Sequence, residues 1–134
     1  MKQTTFIFAF VVAALAALAG CSDATSPPSR VLDGQYGGDG VALDVAASVT
    51  HLSFDCAAGE IDAPIALDGD GRFDVAGTWT GEGNAVNADH TPHAVRYAGR
   101  ATRDVVRLTI VGLGAAPTDT LVAVLDGPRF VAAC

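Results

Sequence analysis

The chain has 134 residues, and its eight basic side chains stand against fifteen acidic ones, which gives a formal charge of −7 at pH 7. Phosphate groups would repel a surface of this charge, so the composition argues against partners such as nucleic acid or an anionic lipid surface. The length beyond the N-terminal segment suits one folded domain.

The first 21 residues have the organisation of a bacterial export signal. Lys2 gives a positive start, residues 6–18 form an uncharged apolar run, and Leu18-Ala19-Gly20-Cys21 follows. This tetrapeptide resembles the lipobox of bacterial lipoproteins at all four positions. The resemblance implies that Cys21 carries a diacylglycerol, that the signal peptide is residues 1–20, and that the new N-terminus is usually acylated as well, for example with palmitate.

A lipidated Cys21 predicts a protein anchored to a bacterial membrane, on its periplasmic or extracellular face. Two or three acyl chains would hold the protein durably at the membrane, because each buried methylene contributes about 0.8 kcal/mol. By the sorting rule of this class, Ser22 favours the outer membrane if the cell has two membranes. A transmembrane helix and a signal peptide without lipid are the alternatives, although residues 4–20 are short for a span of about 20 residues.

The cysteines and the composition divide the remaining chain. Residues 21–33 contain the lipidated cysteine and a Ser-, Pro- and Asp-rich stretch, which predicts a flexible tether. Residues 34–134 are expected to form one β domain. With Cys21 lipidated, Cys56 and Cys134 remain as a pair in an oxidising compartment, and a disulfide between them is predicted to stabilise the domain by about 4.5 kcal/mol. Two buried free thiols or a metal pair are the alternatives.

From Gly34 onward, apolar residues recur at every second position and never hold a helical period, which indicates strands. Predicted strands cover residues 41–45, 52–56, 73–79, 95–99, 106–110 and 121–125, and a last short strand from Arg129 returns Cys134 toward Cys56. The fold class is therefore all-β, a small antiparallel meander barrel or sandwich of seven to nine strands. A membrane barrel is the alternative, but its strands need about 9–11 residues and most here are shorter.

Two hairpins have a predicted register that brings apolar rows together. One has the three-residue loop Gly69-Asp70-Gly71, with Gly71 in the left-handed position of a type I turn and bulge. The other has a two-residue loop at Thr102-Arg103. These registers pair Leu67 with Phe73, Ile65 with Val75, Tyr97 with Leu108 and Val95 with Ile110. Both therefore support a single buried face.

Three segments, with the C-terminal cysteine, resemble small β domains of bacterial exported proteins. They are Phe54-Asp55-Cys56-Ala57-Ala58-Gly59-Glu60-Ile61, the stretch from Leu67 to Thr78, and His93-Ala94-Val95-Arg96-Tyr97-Ala98-Gly99. The shared motifs are turn glycines, core aromatics and the cysteine pair. The resemblance implies a compact β fold with a disulfide, and it implies no activity.

Candidate metal ligands are few. His90-Thr91-Pro92-His93 has a spacing that zinc could use, with Glu82 and Asp89 nearby as oxygen ligands, but a solvated loop explains the same residues. The stretch from Asp68 to Asp74 fails the EF-hand pattern, because Arg72 and Phe73 occupy positions 5 and 6. The sequence contains no Gly-x-Ser-x-Gly nucleophile elbow, no spacing typical of a catalytic triad and no phosphate-binding glycine loop.

These observations predict a non-catalytic envelope module that needs no cofactor and binds a protein partner or a small ligand. The surfaces expected to bind are Gln35-Tyr36-Gly37-Gly38 and the loop over residues 81–92, which is predicted to be mobile because it carries little apolar surface. The alternative function is a metal-assisted hydrolase that uses His90 and His93.

Overall fold

The computed structural model describes residues 30–81, 90–114 and 117–132, and every regular element within them is a β-strand. The ten strands are β1 (Arg30–Val31), β2 (Gly34–Gly38), β3 (Val41–Val45), β4 (Thr50–Phe54), β5 (Ala57–Ile61), β6 (Ala66–Leu67), β7 (Arg72–Gly81), β8 (His93–Ala101), β9 (Val105–Val111) and β10 (Leu121–Leu125). No helix among the described residues is long and apolar enough to cross a membrane.

Eight of the strands form a closed antiparallel barrel in the order β10-β2-β3-β4-β5-β7-β8-β9. Each barrel strand pairs with the next one along the chain, and β10 closes the circle by pairing with β2. The barrel therefore confirms the predicted all-β meander, and closure leaves no unpaired edge within it. The remaining strands, β1 and β6, pair with each other in a separate two-stranded sheet.

The barrel interior is filled by the apolar residues that recur at every second position. Buried side chains come from all eight barrel strands, and they include Tyr36, Leu43, Leu52, Ile61, Phe73, Tyr97, Leu108 and Ala123. Because the side chains of a strand alternate between its two faces, this period places one apolar row from each strand inside. The core is thus the direct product of the period-two pattern.

Tyr97 of β8 fills the centre of the barrel. Its ring lies parallel to that of Phe54, with ring centroids 6.3 Å apart, and its hydroxyl donates to the carbonyl of Thr78 at 2.6 Å. A Cβ on Gly59 would clash with this hydroxyl, and a Cβ on Gly77 would lie 2.8 Å from the ring. The two inward glycines therefore provide the space that the large side chain occupies.

The two ends of the barrel are different. We call the end that carries the Asp39–Gly40 and Asp55–Cys56 turns the mouth end, and the end where the chain enters the barrel the entry end. At the entry end, Tyr36 lies 1% exposed, and its hydroxyl donates to the carbonyl of Asp33 at 3.1 Å. Leu32 is fully buried. Leu32 and Tyr36 therefore fill the barrel interior at the entry end, and a second surface cavity of about 550 Å³, lined by charged residues such as Arg30, Asp33 and Arg103, lies outside them.

Residues 30–33 belong to the folded body, although their composition places them in the predicted tether. Arg30 and Val31 pair with Leu67 and Ala66, and the amide of Leu32 donates to the carbonyl of Ile65 at 2.9 Å. Burial of the single leucine in this polar stretch explains the difference, because an apolar side chain can dock where its neighbours remain in water.

The prediction of a hairpin at Gly69-Asp70-Gly71 is correct for the turn and wrong for the strand pairing on either side of it. Gly71 has a φ of +74°, and the amide of Asp68 donates to the carbonyl of Arg72 at 2.9 Å. Past this point the chain diverges, because β6 pairs with β1 while β7 pairs with β5 and β8. The predicted pairs of Leu67 with Phe73 and Ile65 with Val75 are therefore absent from the ladders of the described strands.

For the second hairpin, the predicted inward faces are correct, but the register differs from the predicted one. Tyr97 pairs with Ile110 and Gly99 with Leu108, and the amide of Thr102 donates to the carbonyl of Val105 at 2.8 Å. The loop is therefore Arg103-Asp104, one residue later than predicted. Because the pairing shifts by two residues, both apolar rows still point inward.

The segment after β10 forms no strand where one was predicted from Arg129. Its one ladder contact is an isolated parallel bridge between Phe130 and Asp39. The amide of Gly40 donates to the carbonyl of Phe130 at 2.8 Å. The segment runs past the β2–β3 turn toward Cys56, which is the direction that the sequence predicted.

Candidate binding site at the mouth end

A cavity of about 430 Å³ opens at the mouth end of the barrel. Its apolar wall comes from inward-facing residues at the ends of their strands, together with the loop residue Leu113: Phe54, Ala57, Trp79, Ile110, Leu113 and Leu121. Clefts of this size and character are the usual sites of small-molecule binding, and barrel mouths are a common place for them.

The local sequence explains why the barrel is packed in the middle and open here. Tyr97 and Phe54 stack beneath the mouth, and Phe54 is the last residue of β4 before the turn. Trp79 also lies near the end of its strand, where it is partly buried and contacts the ring of His93 with a centroid distance of 6.3 Å. Above this level no further inward side chain fills the space among the described residues, so the aromatic faces line a cavity.

Three carboxylates line the same cavity. Asp39 lies in the β2–β3 turn, Asp55 lies in the β4–β5 turn, and Asp119 precedes β10. Among the described residues that line the cavity there is no arginine, lysine or histidine. The cavity thus combines an apolar, aromatic wall with negative charge alone.

Asp55 also fixes the C-terminal segment against the mouth. Its Oδ1 accepts a hydrogen bond from the amide of Ala132 at 2.7 Å, and the amide of Cys56 donates to the carbonyl of Ala132 at 3.3 Å. Cys56 adopts a left-handed φ of 56°. The predicted disulfide partner Cys134 and the predicted lipidation site Cys21 both lie outside the described residues.

Among the described residues, the two histidines of the predicted metal loop contact a backbone carbonyl and an aromatic ring. His90 Nδ1 is 3.0 Å from the carbonyl oxygen of Gly81, and His93 contacts Trp79. Within residues 30–81, 90–114 and 117–132, no group of three potential ligands could hold a metal ion. Glu82 and Asp89 lie outside the described residues.

The acidic hairpin at Asp68 has a structural explanation. Asp68 Oδ1 accepts hydrogen bonds from the amides of Arg72 at 2.8 Å and Asp70 at 2.9 Å. These bonds, that from Arg72 above all, lower the pKa of the Asp68 carboxyl. The carboxylate therefore caps its own turn, as the failed EF-hand pattern indicates.

One of the two surfaces expected to bind is not a surface loop. Gln35-Tyr36-Gly37-Gly38 lies within β2, paired with β3 over its whole length, and Tyr36 and Gly37 are buried. The glycines suggested an open turn, but they lie in a strand whose neighbours approach closely. Residues 82–89 of the other predicted surface lie outside the described residues.

Sequence reasoning identified the wall of the cavity as core and did not recognise the cavity. Phe54, Trp79, Ile110 and Leu121 all follow the inward pattern, and nothing in that pattern separates a filled layer from an open one. The signal available was the position of these residues at strand ends, next to the acidic residues Asp39, Asp55 and Asp119.

Comparison with known protein families, curated proteins and solved structures finds no match for this chain.

Proposed function

We propose that this protein is a lipid-anchored, non-catalytic component of the bacterial cell envelope whose barrel mouth binds a small amphipathic cation. The observation that carries the binding proposal is the cavity of about 430 Å³. It places aromatic and aliphatic side chains next to three carboxylates and no basic group among the described residues.

The chemistry of the ligand follows from that lining. An aromatic or branched apolar body would replace water against Phe54, Trp79 and Leu121, and its transfer from water drives binding. A primary ammonium or guanidinium group would then face the carboxylates, and tryptophan faces attract cations as well. The net charge of −7 adds a long-range attraction for cations and a repulsion for anions.

The lipid anchor is supported by the lipobox at Leu18-Ala19-Gly20-Cys21. The chain passes through β1 and enters the barrel at Gly34 of β2, at the entry end, so an anchor upstream of it would be joined to that end. The mouth opens at the other end. This arrangement would hold the cavity toward the solvent, where a diffusing ligand could reach it.

The tryptophan of the cavity is the only one in the chain, so its fluorescence reports binding without a label. Titration with phenethylammonium should change the emission of Trp79 saturably, while the matched neutral 2-phenylethanol and the anionic phenylacetate should bind more weakly. Asp39→Asn and Asp119→Asn should each weaken the affinity for the cation by up to about fivefold, since an exposed ion pair contributes up to about 1 kcal/mol.

The control for this titration is Asp62→Asn, which removes an exposed acid beyond β5 at the entry end and should leave the affinity unchanged. Equal affinity for the three probes, or loss of binding in the control variant, would contradict the proposed ligand class.

The anchor is tested separately by metabolic labelling with a fatty-acid analogue. The protein should incorporate the label, and the Cys21→Ala variant should not. Equal labelling of the two would refute lipidation at Cys21.

A disulfide between Cys56 and Cys134 is the second structural part of the proposal. Its support is the hydrogen bond between the Cys56 amide and the Ala132 carbonyl. Two residues of chain reach at most about 7 Å, and disulfide-bonded cysteines have Cα atoms about 4.4–6.8 Å apart. The anchored position of Ala132 supports the proposed disulfide, because a two-residue extension from it could span the distance that a disulfide needs.

A further inference from the structure

Three arginines form a row across the outer face of the barrel. Arg72 of β7 is the Cα partner of Arg100 in β8, and Arg100 is in turn the partner of Arg107 in β9. Directly opposite residues on neighbouring antiparallel strands have Cβ atoms about 4.5–5.5 Å apart, and like charges at such positions destabilise a sheet. The row is conspicuous because the whole chain has only eight basic residues against fifteen acids.

Two other arginines form close ion pairs, whereas Arg30 and Arg103 form none among the described residues. Arg96 contacts Asp74 at 2.8 Å and Arg129 contacts Asp44 at 2.7 Å. Within the part of the chain that the structure describes, Arg100 and Arg107 have no ion pair. The row is thus a locally positive patch, effective at contact distance, on a protein whose net negative charge repels anions at longer range.

The acids nearest to the row lie at its β7 side. Asp70 is 3.8 Å from Arg72, and Asp68 is influenced electrostatically by Arg72 and Arg100. Asp68 keeps its negative charge while it accepts hydrogen bonds from two backbone amides of its own turn, and among the described residues no carboxylate forms an ion pair with Arg107 at the other side of the row. The excess charge therefore lies toward Arg107.

The row lies at a surface depression of about 330 Å³. All three arginines line this depression, together with the hydroxyl-bearing residues Thr109 and Thr120 and the small residue Ala98. We infer that the depression is a binding site for a phosphate group, whose oxygens would bridge Arg100 and Arg107 and remove their mutual repulsion. Guanidinium groups suit this ligand because they bind phosphate through paired N–H donors.

The site is on the outer wall, formed by β7, β8 and β9, and is independent of the mouth and of its proposed ligand. Two sources share the same chemistry, a phosphate-bearing solute and the phosphate of a lipid headgroup. Both require the same arginines, and an attached acyl chain distinguishes them.

The test is equilibrium dialysis of the purified full chain against radiolabelled inorganic phosphate at low ionic strength. The wild type should retain phosphate, and Arg100→Gln and Arg107→Gln should each weaken retention about tenfold, as expected for the loss of a charged hydrogen-bond donor. The matched control is Arg96→Gln, which removes the same charge from the same strand as Arg100 but from a position paired with Asp74, and it should change the affinity less than twofold.

Thermal unfolding gives a second measurement, which distinguishes phosphate binding by the arginines from a role in stabilising the fold. Without phosphate, Arg100→Gln should be at least as stable as the wild type, because it relieves repulsion. With phosphate, the wild type should gain stability and the variant should not. Competition with glycerol 3-phosphate and with short-chain dihexanoyl phosphatidate assigns the source, and a preference for the lipid favours a headgroup. No retention by the wild type, or equal loss in the Arg96→Gln control, would overturn the site.

Discussion

Tyr97 shows how single residues determine the interior of this barrel. Its ring packs against Phe54, and its hydroxyl is satisfied by the Thr78 carbonyl while Gly59 and Gly77 leave room for it. A small residue opposite a large one is the arrangement that a narrow barrel needs for close packing. Phe54, against which this ring packs, lines the mouth cavity, so packing and the proposed binding are linked through it.

Replacing Gly59 by alanine should destabilise the protein by about 1–3 kcal/mol, because the added methyl group must displace the hydroxyl of Tyr97 in a full core. Urea unfolding followed by circular dichroism measures the change. Gly114→Ala is the control, since nothing lies within 4 Å of a Cβ at that position. Similar effects for the two variants would mean that Tyr97 is not packed as described.

Alkaline titration tests the burial of the two tyrosines of the chain. Loss of hydration is the largest cause that raises the pKa of Tyr97 and that of Tyr36 above the ordinary value. A raised pKa in the folded state stabilises the fold fully below the unfolded value of about 10, and this stabilisation is lost as the pH rises through the folded value.

Phenolate absorbance should therefore appear together with the loss of β structure in circular dichroism, and only above pH of about 10. Half of the phenolate signal appearing near that pH with the fold intact would show that one tyrosine is exposed.

At the scale of strands, the sequence pattern predicts faces well and partners less well. The period-two rows of β3, β4, β8 and β9 all point inward, because alternation alone decides the face of a strand. Register also depends on the turn, and the shift at Arg103-Asp104 left both faces unchanged. The pairing of β6 with β1 could not be predicted, since it depends on Leu32 docking from a polar segment.

The sequence predicts individual residues of the candidate site but not the cavity that they line. Trp79 and Phe54 are apparent as inward residues, but whether a barrel layer is filled depends on how large side chains from distant strands meet. Tyr97 fills the middle because two glycines face it, whereas Phe54 and Trp79 at the mouth line a cavity and do not fill it. That balance is a property of the closed barrel and not of any one segment.

The C-terminal segment gives a prediction at the same scale. Asp55 and Cys56 hold Ala132 through hydrogen bonds, so oxidised protein should contain a peptide that links Cys56 to Cys134. Mass spectrometry of protein digested without reduction, after quenching of free thiols, should find this linked peptide. Alkylation of both cysteines in quenched, unreduced protein would refute the disulfide.

At the scale of the whole molecule, the two ends of the barrel have different structures. The chain enters at the end whose interior Leu32 and Tyr36 fill, while the opposite end carries the candidate binding cavity and its carboxylates. The point where the chain enters and the candidate binding cavity therefore lie at opposite ends of one barrel. The arginine row occupies the wall between them.

The central claim, that the mouth binds a small amphipathic cation, is tested most directly by amide and indole chemical shifts in a nitrogen-15 correlation spectrum during titration with phenethylammonium. The account predicts saturable shifts at Gly40, Ala57, the Trp79 indole and Leu121, with Arg103 at the entry end unchanged. Shifts centred on the entry end, or spread evenly over the barrel without saturation, would contradict it.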